Sequence, residues 1–314
     1  MLLLTWACPQ AHAGEITPFA EVLIWHASEE TSSTWASVVS ETPSGSPDPR
    51  SVFAAQQLDF NWSPGFRVGV NIAPETSNWD WTLALTNFST SQGAEIPDGD
   101  HLVLPEFFSG FVSGDGFSFT TASLDWSIRM TTFDIEAGHD IQVLDDVTIR
   151  PVFGLKIASI RQSLQSRWGN PSLGLTAVED VNHDFFGVGP SFGVGGTWHV
   201  PGTSGLRVVG SCSGALMYGT WNVTDDFQRT DPGLPLLSYD AFSTTMNDAQ
   251  LGTVMIRSFV GLEWTLPGKL ELTAWLGYEA QWWANQQRLL TFQQLPMHGD
   301  LTLQGGSCGL AVCY

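Results

Sequence analysis

A chain of 314 residues has room for one large domain or two ordinary ones. Only 14% of it is charged, against ~25% in an average soluble domain, and 32 Asp and Glu outweigh 12 Lys and Arg to leave a net charge of −20. That balance argues against nucleic-acid binding, which needs clustered Lys and Arg. A membrane helix needs ~20 consecutive apolar residues and none are present, so a membrane-spanning form would have to be a closed β-barrel.

The first element is a leader. Ala11-His12-Ala13 fits the small-x-small site of a secretory signal cut before Gly14, which assigns 1–13 to a signal peptide and 14–314 to one barrel domain. The apolar stretch is short and no Lys or Arg precedes it, so the true start is expected upstream of Met1; a buried N-terminal strand is the alternative. Cys8 is expected to leave with this segment, and Thr5-Trp6-Ala7 before it makes a poor lipoprotein signal.

Downstream, strand-like and turn-rich segments alternate, and no long segment carries apolar residues at helical spacing. Strands are predicted near 17–27, 54–73, 78–91, 117–140, 147–164, 182–199, 205–220, 249–265, 269–287 and 300–314. The clearest period-two runs are Leu58–Val70, Phe186–Trp198 and Leu270–Trp282, with apolar residues at even positions opposite Gly, Ser and charged residues at odd ones. Connections after the even-numbered strands are short (74–77, 141–146, 200–204, 266–268) and those after the odd-numbered ones long (28–53, 92–116, 165–181, 221–248, 288–299). Short turns alternating with long loops are the layout of an outer-membrane barrel, which puts both termini on the periplasmic side. The fold class expected is therefore all-β, an antiparallel up-and-down transmembrane barrel of about ten strands, with twelve also compatible. A soluble sandwich or lipocalin-like barrel would show the same alternation turned inside out. Low charge, 14 Trp and the loop asymmetry favour lipid on the outside.

With that orientation the polar face of the strands collects the lumen candidates Asp59, Arg67, Asp80, Asp134, Glu136, Arg150, Lys156, Arg257, Glu263, Glu271 and Glu279, joined by Glu21 if Phe19, Glu21 and Leu23 face inward. A charge turned into lipid at mid-bilayer costs ~2–4 kcal/mol for Arg or Lys, so these groups should be wet or paired. Two interiors are compatible with them: a narrow cation-favouring pore, or a lumen filled by cross-paired side chains. Trp62, Trp79, Trp81, Trp198, Trp264, Trp282 and Tyr314 are the lipid-facing aromatic candidates. The last strand, with Leu310, Val312 and Tyr314 outward, should pair with the strand near Phe19 and be read by the barrel-assembly machinery through Tyr314.

Among the long loops, 92–116 carries Glu95, Asp98, Asp100, Glu106 and Asp115, and 221–248 carries five Asp against Arg229. Neither has the fixed Asp spacing of a calcium loop, so they are read as solvated, with no metal site and no cofactor expected. Leu102–Phe117, holding Phe107, Phe108, Phe111 and Phe117, folds either into the lumen as a constriction or onto the rim. Cys212, Cys308 and Cys313 lack zinc-site spacing; one disulfide, an intermolecular bridge or free thiols all fit. Cys308 and Cys313 sit on opposite parities, so they do not bridge within a flat strand.

Several later motifs resemble a known family. Asp134-Ile135-Glu136, Arg150-Pro151-Val152-Phe153-Gly154, Asp184-Phe185-Phe186-Gly187-Val188-Gly189-Pro190, Ser213–Gly219, Gly277–Trp283 and Gly299–Gly305 are similar, in order and spacing, to the Legionella-type pore-forming major outer-membrane proteins, also found in Chlamydia-like bacteria. The resemblance runs from about Phe19 and is strongest from Leu124 on. It implies a porin-like barrel for ions and small polar solutes, with no catalytic residues, and it implies that cysteines such as Cys308 and Cys313 can take part in disulfides. The chain departs from the pattern in ending Cys313-Tyr314 rather than in Phe.

Outer-membrane lipid and lipopolysaccharide are the expected surroundings, with a homo-oligomer or an intermolecular disulfide as further options and no nucleic acid. Two other function classes stand beside the pore. One is a non-conducting adhesin or structural barrel. The other is an omptin-like protease using His26, His101 or His183 with Asp184 at the outer rim, although G-x-S-x-G and H-E-x-x-H are absent.

Overall fold

The computed structural model describes residues 15–29, 34–41, 51–75, 77–106, 119–203, 205–230, 241–266, 270–290 and 296–313. Among them are fourteen strands: β1 (Glu15–Glu29), β2 (Thr34–Glu41), β3 (Ser51–Gln57), β4 (Ser63–Ala73), β5 (Asp80–Ile96), β6 (Leu102–Pro105), β7 (Thr121–Gly138), β8 (Ile141–Leu144), β9 (Val147–Asn170), β10 (Leu175–His199), β11 (Leu206–Thr230), β12 (Ala241–Leu266), β13 (Glu271–Leu290) and β14 (Pro296–Cys313). Ten of them, all but β2, β3, β6 and β8, pair antiparallel in chain order. The ring closes where β14 meets β1, from Phe19↔Ala311 to Glu29↔Leu301. Closure satisfies every wall strand's backbone, which is the only way a sheet survives in hydrocarbon.

The ten wall strands correspond one for one to the ten expected from sequence, with two differences. The expected second strand is two: Ser51–Gln57 pairs with β2 in a separate small sheet, and the wall begins only at Ser63. The four strands β9–β12 also run 24–26 residues, far beyond the ~9–11 needed to cross a bilayer. Much of what reads as long loop is strand, because period two continues there: Trp221, Val223, Asp225 and Phe227 are buried while Thr220, Asn222, Asp226 and Gln228 are exposed.

The outer face changes character along these strands. Nearer the short turns it is apolar: Leu83, Leu85, Phe133, Ile135, Phe153, Leu155, Ile157, Val188, Leu216 and Tyr218 lie in register on neighbouring strands. Toward the long connections it turns polar, the exposed rings of Phe66 and Phe186 being the apolar residues of the next row. Asn87, Thr131 and Ser159 form the next cross-strand row, followed by Ser89, Arg129, Arg161, Asp184 and Asn222. This apolar belt is the lipid band of an outer-membrane barrel, and the wall on the β9–β12 side stands well above it.

Inside, inward glycines make room for large rings from adjacent strands. A Cβ on Gly309 would collide with the Trp275 indole, and one on Gly277 with the Phe259 ring. Two bulges re-aim the upper interior. At Gly252 (φ 102°), Met217 pairs with Thr253 but Tyr218 pairs with Leu251; beside Asn285 (φ 53°) the register between β13 and β14 also slips. A left-handed φ at Gly252 is free of Cβ strain. The bulge brings Asp248 and Gln250 onto the inward side, where Arg288 binds both.

A small sheet, β3-β2-β6, closes the upper end. Trp35 of β2 is fully buried against Trp168 near the top of β9 (centroids 5.6 Å apart), and Phe119 packs on the same indole at 6.2 Å. Val103 of β6 bridges to Phe119 and is also buried. The start of the Leu102–Phe117 segment is thus part of a cap; Phe107, Phe108, Phe111 and Phe117 lie outside the described residues, as do 1–14 and Tyr314.

Candidate functional site: the charged barrel interior

Alternation puts one side chain in two inside, and within the lipid band those side chains are charged. Arg67 on β4 reaches across β1 and β14 to Glu279 on β13, with Nη2 donating to Oε1 at 3.0 Å and Nη1 to Oε2 at 3.2 Å. Its Nη1 also donates to Glu21 and its Nε to Thr86 Oγ1 at 3.0 Å. Glu279 in turn accepts from Arg257 on β12 and from Gln281 Nε2 at 2.6 Å. Trp275 Nε1 donates to the other oxygen of Glu21 at 3.0 Å. Facing this group, Lys156 on β9 pairs with Asp134 on β7 at 2.6 Å and lies 5.8 Å from the Trp283 ring. Glu136, two residues along β7, is also buried.

Those seven groups comprise four acids (Glu21, Asp134, Glu136, Glu279) and three bases (Arg67, Lys156, Arg257), none more than 6% exposed. Each buried charge costs several kcal/mol to dehydrate, and only cross-pairing with good hydrogen bonds offsets that. Deleting one partner would strand the other.

The short-turn end has its own pairs. Arg150 binds Asp80 and Asp140, and Arg207 binds Glu263 while its Nη2 donates to Thr265 Oγ1 at 2.6 Å. Glu271 is on the inward parity at the same end and partly exposed. Ten of the eleven lumen candidates therefore lie on the inner side of the wall. Asp59 does not: it precedes β4, is 87% exposed and meets His26 Nε2 at 2.9 Å on the outside. The alternation from Leu58 fails because Leu58 and Phe60 belong to no strand and turn inward, Phe60 packing on Trp126 at 5.5 Å. Trp62, Trp79, Trp81, Trp198, Trp264 and Trp282 are all exposed on the outer face.

Above the network the filling changes. Trp25, Phe88, Met130, Ile160 and Phe185 are buried together near the upper edge of the lipid band, with Trp126, Leu164, Val181 and Leu303 around them. Some inward polar groups escaped sequence reading: Glu29, which accepts from Gln162 Nε2 at 2.8 Å; Arg288, stacked 3.5 Å over Trp221; and buried Glu179 and Arg207; His183, expected at the outer rim, and Asp225, expected in a solvated loop, are buried as well. Parity would have found Arg207, which shares the odd face with Val209 and Ser213. His183 faces inward and Asp184 outward, toward Arg161 at 3.4 Å, so these neighbours cannot act as one dyad. Cys313 is disulfide-bonded, while Cys212 and Cys308 are free and exposed.

A family profile described as the Legionella pneumophila major outer membrane protein precursor matches residues 17–313. No curated protein matches the chain. Among solved structures, it is similar to the outer membrane protease OmpT from Escherichia coli (TM-score 0.48, 7% identity, 96% of this chain and 97% of that one). A FadL homologue from Pseudomonas aeruginosa (0.25, 9%, 96% and 90%) and the transport unit of the autotransporter AIDA-I from Escherichia coli (0.31, 7%, 99% and 92%) are also similar. At these scores the likenesses carry no argument about function.

Proposed function

Since the chain belongs to the Legionella pneumophila major outer membrane protein family and folds as an outer-membrane barrel, we propose that it is a porin-like, cation-favouring pore for ions and small polar solutes, held closed in this conformation. The observation that carries this reading is the line of ionisable side chains through the membrane-embedded length, from Arg207 and Arg150 at one end through Arg67, Glu279 and Lys156. Ionisable groups at that depth are costly and mark ion pathways by default. The acid excess, four against three, gives the preference for cations. The termini and short turns face the periplasm, and the tall wall with its cap faces outward. Opening requires both the Arg67–Glu279–Arg257 pairs and the apolar stretch above them to separate.

A sealed barrel that displays its outer strands is the second reading. It is favoured by the near-zero exposure of Asp134, Lys156 and Glu279 and by the rings packed above them. Single-channel recording of the refolded protein in planar bilayers separates the two. The pore predicts small, infrequent, cation-selective openings, made longer and less cation-selective by Glu279→Gln. Silence of both wild type and Glu279→Gln, with barrel circular dichroism intact, overturns the pore and leaves the sealed barrel.

A further inference from the structure

The chain holds 12 Lys and Arg, ten of them among the described residues, and seven of those ten lie on the inward parity of their strands. The three that point outward, Arg129, Arg161 and Arg167, stand on the adjacent strands β7 and β9. Arg129 and Arg161 are direct cross-strand partners. Like charges directly opposite each other destabilise a sheet, so the pairing calls for an anion between them. Arg161 meets Asp184 through Nε at 3.4 Å, and Arg129 makes no ion pair with a described residue.

Their level on the wall identifies the anion. Two steps below them on the outer face lie Phe133 and Ile157, at the top of the lipid band, with Leu85 and Val188 beside them. At their own level a groove is lined by Ser89, Ser91, Ser127, Ser163, Asn182 and Asp184 together with the two arginines, the Asp184 carboxylate lying on the Nε side of Arg161. Acyl chains, a phosphate and sugar hydroxyls, in that order from the membrane outward, are what this succession of surfaces fits. Guanidinium forks suit phosphate because they bind it bidentately.

We infer that the outer faces of β7 and β9 form a seat for a phosphorylated outer-leaflet glycolipid, lipopolysaccharide, with Arg129 and Arg161 clamping a phosphate. The proposal rests on the outward orientation of the tall wall and not on whether the barrel conducts. The test is lipopolysaccharide binding to the refolded full chain in non-ionic detergent, read by native mass spectrometry. Wild type should retain lipopolysaccharide. Arg129→Gln with Arg161→Gln should weaken retention about tenfold, the scale of losing charge-assisted bonds to phosphate, while Arg167→Gln leaves it unchanged. Dephosphorylated lipopolysaccharide should bind wild type as weakly as intact lipopolysaccharide binds the double variant. Equal retention of the two forms by wild type overturns the proposal, and that comparison needs no variant to fold. Displacement by millimolar inorganic phosphate would overturn it in favour of a free-anion site. Preference for phosphatidylglycerol over lipopolysaccharide would put the arginines at the inner leaflet, which overturns the orientation and with it the ligand.

Discussion

The lower and upper halves of this barrel use the same strands and the same period of two, yet they are inverted. Within the lipid band, Leu155, Phe133 and Leu216 face out while Lys156, Asp134 and Arg257 face in. Above it, Asn222, Asp226 and Ser127 face out while Trp221, Phe227 and Trp168 face in. The wall follows its solvent. Hydrocarbon outside leaves the polar groups nowhere but the lumen, and water outside restores the ordinary apolar core. The switch falls near Phe88, Met130 and Ile160, where the two arrangements meet in a plane of buried apolar side chains.

Substitutions that ignore this inversion should separate the halves. The largest effect is expected from Trp168→Ala, which empties the joint between the cap and the upper wall at about 3–5 kcal/mol. It would appear in urea unfolding and as early proteolysis of the cap, with the lipid-embedded half still resistant. Glu279→Ala takes from Arg67 one of its two carboxylates, leaving it Glu21, and takes from Arg257 the carboxylate it binds, and should cost a comparable ~3–5 kcal/mol. A double variant that also replaces Arg67 with Met should recover part of that loss in the same unfolding assay; no recovery would mean that the pairs are not coupled. Next comes a matched pair on the outer face. Leu155→Arg, in the lipid band, should destabilise by ~2–4 kcal/mol in lipid vesicles. Asn222→Arg, on the watered wall, should stay within ~0.5 kcal/mol. Equal costs for the two arginines would place the bilayer edge elsewhere.

Much of the wall was legible from the residues. In Leu270–Trp282 and Phe186–Trp198 the even positions are apolar and do face out, because a strand offers only two faces and lipid fills one of them. Reading failed where a segment leaves the ladder. Leu58 and Phe60 continue the alternation on paper, but they lie between β3 and β4, where no neighbouring strand holds parity, so they turn inward and Asp59 is left in water. The upper strands were cut short in reading because Thr220, Asn222, Thr224 and Asp226 resemble loop composition; their buried alternates Trp221, Val223 and Phe227 were the signal that pairing goes on.

The sequence by itself determined the class of fold, the number of wall strands and the alternation that assigns most of Arg67, Asp134, Lys156, Arg257 and Glu279 to one face. These are local properties, fixed by the order of apolar and polar residues along each strand. Only the tertiary structure decided which charges meet. Arg67 and Glu279 are 212 positions apart in the chain and become partners because closure of β14 on β1 brings β4 and β13 to the same arc of the wall. The cap, the packed plane above the charges and the facing arginines on β7 and β9 have the same origin: each depends on the register between strands, which a linear alternation does not contain.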